Sequence, residues 1–369
     1  MALDRKQLVE LARATAKASL NPSASFAFGE KNLSFSALND TFRDELNKLA
    51  GSYRDYQNNK NLIFELIEVG LDEVLPPRVM QEYGQFADVR TFNQGDKPIF
   101  NIKITEASRQ RAKKNFVTRV GLAGRYEVFK LDGRTLEVPT SAFGGAAQIG
   151  LEEFLDGRIT MSDVYDIVLE GMDEQVYIEI ANALASMVSS LPEVNYSVQT
   201  QFDEDEMDRL VQTADVYGKA TIYCTFEFAS KMIPVDRWAS NEMKQERWDV
   251  GYYTKYKGHN VIILPQSFTD IDNATKVIDP SLAYIIPTGA EKPVKVAFEG
   301  QTLVREVPFK GNEDWSQEIQ TYRKFGVAVF NSNPGICVFK NSALTSSNAA
   351  PTPASGGNEQ GGGQQGGGN

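Results

Sequence analysis

One long apolar stripe constrains the fold of this chain more than any other feature. Apolar residues recur at every fourth position from Val164 to Val188, which is typical of one continuous helix with a single buried face. Thr160 and Asp163 have the spacing of a capping box, and the Leu-Pro pair at 191–192 closes the stripe. A helix of about 30 residues is roughly 45 Å long, whereas helices in globular proteins average about 11 residues. A coiled coil is the alternative, but the stripe steps by four and the sequence holds one such helix.

Ahead of this stripe, the chain carries a helical segment and then an extended one. Residues 1–84 hold three short amphipathic patterns separated by polar linkers, which favours an arm over a compact bundle. The third pattern is expected to stop at Pro76-Pro77, because proline disrupts a helix interior. Between residues 85 and 140 apolar and polar residues alternate, and Asp132-Gly133 is a strong hairpin signal. This alternation predicts long two-stranded ribbons, which are marginal in water unless they lie on another surface.

Charge is distributed unevenly along the chain. The net charge is −11, yet residues 103–134 hold nine basic and three acidic residues, so this segment is positive by six charges and the remainder negative by 17. A basic loop on an acidic body predicts that the loop of one copy docks on the body of another. Nucleic-acid binding is an alternative, although no aromatic residues are interleaved at the tip of the loop. A solvated charged loop is the other alternative.

The sequence after the stripe favours a sheet. Residues 202–217 form a helical pattern in which five early carboxylates complement the helix dipole. Short apolar runs from residue 219 to 340 predict strands, with Lys257-Gly258 as the turn of a hairpin. We therefore assign the chain to the α+β class, with a largely antiparallel sheet after the long helix. From residue 341 the chain is rich first in Ser, Ala and Pro and then in Gly, Gln and Asn, which predicts a flexible tail.

The catalytic repertoire of the sequence is small. It contains one histidine, His259, and two cysteines, Cys224 and Cys337, which excludes a Cys/His zinc site and a disulfide framework. Both cysteines have apolar neighbours and are expected to be buried and unreactive. The sequence has no phosphate-binding loop, dinucleotide fingerprint or hydrolase motif, so we expect no enzyme activity, no cofactor and no metal. It also has no signal-peptide or membrane-span pattern, so folding in a reducing cytoplasm is expected.

Aromatic residues stand out in two places. Trp238 and Trp248 lie near three tyrosines within residues 252–256, a set that could bind a ligand but is ordinarily explained by core or interface packing. Trp315 lies in a polar stretch and is expected to anchor a loop on a neighbouring copy.

In order, the chain has a helical arm, a basic extended loop, one very long helix, an α+β sheet segment and a final pair of strands. This order resembles the major capsid protein of tailed bacteriophages, the Hong Kong 97-type shell fold. The closing strands carry the resemblance most clearly, at residues 282–287 (LAYIIP), 292–296 (KPVKV), 325–330 (FGVAVF) and 335–338 (GICV).

The resemblance implies a division of the chain into five segments. They are an N-terminal helical arm at 1–84, an extended β-hairpin loop at 85–140, a peripheral domain with the spine helix at 141–199 that is completed by about 316–340, an axial domain at 200–315, and a disordered Gly/Gln-rich tail at 341–369.

The resemblance further implies a structural subunit that self-assembles into the icosahedral head shell around a phage double-stranded DNA genome. Contacts between copies are expected at Phe42, Leu46, Phe100, Ile102, Ile104, Lys113, Lys114, Phe116 and Trp315. The implied partners are other copies in hexamers and pentamers, scaffold and portal proteins, and weakly held DNA, with no membrane. The implied location is the virion, after assembly in the host cytoplasm. Two alternatives stay open: a shell subunit of an encapsulin-like nanocompartment and, more remotely, a DNA-binding protein or enzyme.

Overall fold

The fold contains both helices and strands. A computed structural model describes residues 4–28, 31–102, 109, 113, 134–149, 160–232, 241–287, 292–307, 317–330 and 334–344. Across these ranges most strand pairings are antiparallel, so the predicted α+β class with a largely antiparallel sheet is confirmed. The closing hairpin of the predicted ribbon, at Asp132-Gly133, and the tail from residue 345 lie outside the described residues.

Three helices open the fold: α1 (Arg5–Ser19), α2 (Phe35–Leu49) and α3 (Tyr53–Tyr83). A hairpin of β1 (Ser25–Phe28) and β2 (Lys31–Ser34) connects the first two. Each helix begins after a residue whose side chain accepts a backbone N–H, which satisfies a donor that the helix cannot pair internally. These N-caps are Asp4, Ser34 and Ser52.

These helices pack on the chain's own core, so the prediction of an extended arm is wrong. Leu11 of α1, Leu38 and Leu46 of α2 and Leu71 of α3 are each fully buried in one shared cluster. In the sequence, the three apolar stripes are too short to predict a bundle. The three helices nevertheless pack against one another, because α3 is twice as long as its apolar pattern indicates. The cluster also includes the first half of the long helix, described below.

Helix α3 runs through Pro76-Pro77, where the sequence predicted its end. Two prolines remove two backbone donors from the helix interior. The helix continues because its flanks are anchored: Leu75 is fully buried and Val79 is 1% exposed. Tertiary packing therefore overrides the local signal for a helix stop.

The predicted long helix is confirmed as α4 (Met161–Val188), with Thr160 as N-cap and the predicted capping box to Asp163. Its first half packs against α1–α3, and its second half, with Ile180 and Leu184, packs against both of the large sheets. One helix thus connects all the main layers of the described fold.

A four-stranded sheet has the order β3-β12-β13-β6. Its strands β12 and β13 are single long strands, where the sequence predicted shorter ones. A separate two-stranded ribbon, β4-β5, forms the root of the basic loop, with Phe100 buried between it and the sheet. The strands are β3 (Ala87–Phe92), β4 (Ile99–Ile102), β5 (Arg134–Glu137), β6 (Ser141–Ile149), β12 (Val294–Val307) and β13 (Gln317–Val329).

A six-stranded mixed sheet has the order β7-β14-β11-β8-β10-β9. The predicted hairpin between its last two strands is confirmed, since Lys257 and Gly258 both have positive φ, as a tight type I′ turn requires. The strands are β7 (Tyr196–Gln199), β8 (Ala220–Cys224), β9 (Lys255–Tyr256), β10 (His259–Ile263), β11 (Leu282–Pro287) and β14 (Cys337–Asn341).

Three further helices complete the description: α5 (Glu204–Asp215), α6 (Phe226–Lys231) and α7 (Asn241–Val250). The acidic first turn predicted for α5 is confirmed. The alternation of apolar and polar residues at 222–228 predicts a strand, but the strand ends at Cys224, because the Thr225 side chain caps α6 and a helix begins there. Both cysteines are fully buried, as expected.

The two large sheets do not follow the predicted domain boundaries. Strand β12 falls within the predicted axial segment at 200–315 but pairs with β3 and β13. Strand β14 falls within the segment expected to complete the peripheral domain but lies between β7 and β11 in the other sheet. Hydrogen bonds between residues far apart in sequence place β12 and β14 in these sheets. A local sequence pattern cannot predict such pairings.

Candidate intersubunit surface

Helix α4 presents an acidic surface. It carries six Asp or Glu residues and no Lys or Arg. Asp166 and Asp173 pair with Arg43 of α2 and Arg78 of α3, which ties α4 to the N-terminal helices. Hydrogen bonds from Thr160 hold the pKa of Asp163 below its usual value, so the capping carboxylate stays ionised. The acidic character of α4 is therefore part of its fold and remains available on its outer side.

A groove of about 300 Å³ lies between α4 and β6. On the helix side it is bordered by Ile167, whose side chain is 63% exposed, and by Gly171. On the sheet side Phe143 stacks on Phe325, with ring centroids 4.1 Å apart, and forms the wall. The residues that line the groove are mostly apolar or small, and Glu170 is exposed on the same helix.

Gly171 is an unusual residue for the middle of a helix. Glycine there costs about 1 kcal/mol relative to alanine. Packing within the chain does not require it, because a β-carbon placed on Gly171 would have no heavy atom of the described structure within 4 Å. Gly145 of β6 faces the same kind of open space. Gly144 differs, since a β-carbon there would lie 2.3 Å from the carbonyl oxygen of Thr321.

A second groove, of about 570 Å³, borders β6 beside Leu303 and Arg305 of β12. The two grooves share Gly144, Gly145 and Ala146 of β6. Because β13 lies between β6 and β12, this second groove crosses the sheet and does not follow the outer edge of β6.

The root of the basic loop is held firmly. Phe100 is 1% exposed, and its ring lies under two cations, with Arg90 Cζ at 4.8 Å and Lys295 Nζ at 5.7 Å from the centroid. Lys295 is itself buried and forms an ion pair with Asp88. These contacts hold β4 against the four-stranded sheet.

Three of the residues expected to contact a neighbouring copy are buried within their own chain instead. Phe42 and Leu46 belong to the core of the N-terminal helices, and Phe100 to the small cluster at the loop root. This part of the prediction is wrong, because the apolar faces that seemed to lack a partner find one in α3, α4 and β12. Lys113 is exposed and Ile102 ends β4. Ile104, Lys114, Phe116 and Trp315 lie outside the described residues.

The aromatic set near residue 250 divides between core and surface. Tyr253 and Tyr256 are buried, and the hydroxyl of Tyr256 donates to Asp208 at 2.7 Å. Trp248 is 86% exposed and Phe226 is 52% exposed. The sequence could not divide the aromatic set between core and surface, because exposure depends on tertiary packing.

The described residues contain no group of His, Cys, Asp or Glu side chains arranged to hold a metal ion. Of the helices in this part of the chain, none has the length and apolar character needed to cross a membrane. His259 is partly buried, with Nδ1 3.3 Å from the carbonyl oxygen of Ala220 and Nε2 3.4 Å from Asp215.

Comparison with known proteins gives a family and a set of similar shells. The family model described as "SPbeta prophage-derived putative capsid protein YonB" matches residues 28–338. No curated protein matches the chain. Among solved structures, the capsid of cyanophage P-SCSP1u is 8% identical with a TM-score of 0.46, covering 70% of this chain and 86% of that one. The capsid of a native GTA particle is 12% identical with a TM-score of 0.45, covering 70% and 89%. The SrpI encapsulin of Synechococcus elongatus is 12% identical with a TM-score of 0.40, covering 68% and 84%.

Proposed function

Because the chain belongs to the family of the SPbeta prophage-derived capsid protein YonB, we propose that it is a major capsid subunit that self-assembles into an icosahedral phage head shell of the Hong Kong 97 type. The match over residues 28–338 is the observation that carries this proposal. The family indicates a structural role, and the proposed subunit acts by assembly and not by catalysis.

The charge arrangement supports contacts between copies. The acidic outer side of α4 and its apolar groove belong to the same chain as a loop with a surplus of six positive charges. A contact between two different surfaces of identical copies is heterologous and closes into rings when the rotation allows. Six such copies form a hexamer and five a pentamer.

Each contact must bury more than roughly 1,000 Å² to be specific. At about 25 cal/mol per Å² of apolar area, even partial burial contributes several kcal/mol before the costs of association. Repetition around a closed shell then stabilises the particle without any single strong contact.

The remaining partners follow from the same proposal. A scaffold protein and a portal protein would act during assembly in the host cytoplasm, and the finished subunit would reside in the virion around double-stranded DNA. The net charge of −11 suits the wall of a DNA container, since a strongly basic wall would bind the phosphate backbone tightly.

Electron microscopy and analytical ultracentrifugation of the full-length chain test the proposal. We expect closed particles, rings of five or six copies, or tubes. A chain that stays monomeric at high concentration, over a range of ionic strength and with its scaffold co-expressed, would contradict it. Particles recovered from producing cells with protein cargo and without DNA would instead identify a nanocompartment.

A further inference from the structure

The basic loop is joined to the body of the chain by two short connections. Residues 93–98 lead from β3 into β4, and residues 138–140 lead from β5 into β6. Strands β3 and β6 are the opposite edges of the four-stranded sheet, so the two connections meet the sheet on opposite sides. They converge over the central strands, where Phe100 and Val138 pack with Ala297 of β12. The ribbon β4-β5 therefore lies over the middle of the sheet.

Each connection approaches a glycine of a central strand. Gly300 of β12 has a φ of 72°, and a β-carbon on it would lie 3.2 Å from Cβ of Gln94 in the first connection. A β-carbon on Gly326 of β13 would lie 2.1 Å from the carbonyl oxygen of Pro139 in the second connection. Glycine within a strand is typical of a bulge or of a close approach by another backbone. The sheet therefore has a glycine at the point where each connection crosses it.

Glu299, the residue before Gly300, binds both connections. Its side chain is 6% exposed. Oε1 accepts the backbone N–H of Gly95 at 3.2 Å, and Oε2 accepts the hydroxyl of Thr140. Oε1 also pairs with Nζ of Lys324 on β13, at 3.2 Å. The hydrogen bonds from Thr140 and Gly95 hold the pKa of Glu299 below its usual value, so the carboxylate stays ionised. One charged side chain thus joins the outgoing and the returning connection to a central strand.

Strand β12 is irregular at this residue. Its pairing with β3 ends at Glu299, and its register with β13 shifts between Glu299 and Leu303, which marks a bulge. A β-bulge bends its strand and redirects a side chain, and bulges are over-represented next to functional sites. The bulge, the two glycines and the buried carboxylate therefore occur together at the base of one loop.

We propose that Glu299 is the positioning residue of the basic loop: its carboxylate holds both connections of the ribbon and sets the direction in which the loop leaves the subunit. The inference rests on the proposed function, since a loop serves contacts between copies only if every copy presents it in the same direction. A ribbon already held in one direction needs little further ordering when copies associate, so less of the contact energy is lost. The cations around Phe100 hold the ribbon against the sheet, whereas Glu299 is bonded to both of its connections.

Pulsed electron paramagnetic resonance tests this role in the full-length chain. One nitroxide is attached at Thr135→Cys on exposed β5 and the other at Gln81→Cys on an exposed position of α3. The two native cysteines are buried and do not compete for the label. In dissociated subunits we expect one narrow distribution of distances between the two labels. Glu299→Ala should widen that distribution about twofold, because the ribbon loses a charge-assisted hydrogen bond on each connection.

Three further variants separate positioning from stability. Glu299→Gln should restore the wild-type distribution, since its amide can still accept from Gly95 and donate to the hydroxyl of Thr140. Lys324→Ala should leave the distribution unchanged, because the bonds to both connections remain. Leu11→Ala removes a fully buried side chain from the N-terminal helices, so it should lower the melting temperature without widening the distribution. Equal widening in Leu11→Ala and Glu299→Ala would show that general destabilisation is the cause, and equal widening in Lys324→Ala would assign it to the ion pair. Either result would overturn the inference.

Sedimentation connects the direction of the ribbon to assembly. We expect the assembled fraction of Glu299→Ala to be about tenfold below that of the wild type, because its ribbon must be ordered during association, while Glu299→Gln assembles normally. An unchanged distribution in Glu299→Ala, or full assembly by a variant with a widened distribution, would overturn the inference and leave the proposed function intact. A wild-type chain that forms no assembly contradicts the proposed function itself.

Discussion

Arg323 is the residue on which the join between the N-terminal helices and the four-stranded sheet depends. Its side chain is 3% exposed, and Nη1 donates to Thr302 Oγ1 at 2.5 Å and to Asp72 of α3. Asp72 also accepts from the backbone and hydroxyl of Thr302, at 3.0 and 2.7 Å. Burial holds the pKa of Arg323 below its usual value, although Asp72 acts in the opposite direction. A carboxylate at position 72 therefore balances a cation that has little access to water.

We expect Asp72→Asn to lower the free energy of unfolding by about 3 kcal/mol, because it leaves a buried cation without its counter-ion. Urea denaturation measures the loss as a shift of the midpoint. Glu65→Gln is the matched control, since Glu65 lies on the same helix and pairs with Arg5 at the surface, where removal costs about 0.5 kcal/mol. Equal midpoints for Asp72→Asn and the wild type would show that the pair does not stabilise the fold.

At the scale of helices and strands, the sequence predicts those elements whose limits are set by residues close together in the chain. Helix α4 was expected over residues 160–190 and spans Met161–Val188, because its stripe and its capping box are both local. The turn at Lys257-Gly258 was found for the same reason. The sequence predicts that helix α3 ends at Pro76-Pro77. The helix continues past Pro76 because Leu75 and Val79 pack against residues that are distant in sequence. The groove beside β6 was missed, since it exists only once β13 and α4 lie next to that strand.

A substitution of Pro77 tests whether tertiary packing outweighs the local effect of proline in α3. It is exposed in α3, and an interior proline removes a hydrogen bond at a cost of up to about 3 kcal/mol. We expect Pro77→Ala to raise the free energy of unfolding by about 1 to 3 kcal/mol, measured by urea denaturation. Gln81→Ala, one turn later on an exposed position, sets the baseline for a change of helix propensity alone. A loss of stability in Pro77→Ala would mean that the packing of α3 requires the backbone shape that proline imposes.

The molecule combines an acidic body with one basic loop. The sequence predicts this asymmetry of charge, because charged residues can be counted without knowledge of the fold. The sequence does not show which surface each apolar face packs against. From the sequence, the apolar faces of the arm and of the loop root are expected to contact neighbouring copies. Phe42, Leu46 and Phe100 are instead buried within their own chain. The predicted contacts that remain for a neighbour are those of the basic loop, Ile102, Ile104, Lys113, Lys114 and Phe116, together with Trp315. Assembly should depend on the lysines of this loop more than on the apolar residues of the arm.

Reversing two of those lysines tests this dependence. Lys113→Glu with Lys114→Glu lowers the charge of the loop segment by four, so the attraction to the acidic face of α4 is largely lost. We expect a folded monomer with an unchanged melting temperature and at least a tenfold smaller assembled fraction by sedimentation. Molar salt should reduce the difference between the variant and the wild type, because the Debye length falls to about 3 Å and both the attraction and the new repulsion are screened. Lys6→Glu with Lys17→Glu, at exposed positions of α1, makes the same change in total charge and should assemble normally. If both double variants lose assembly alike, net charge and not the loop governs the contact.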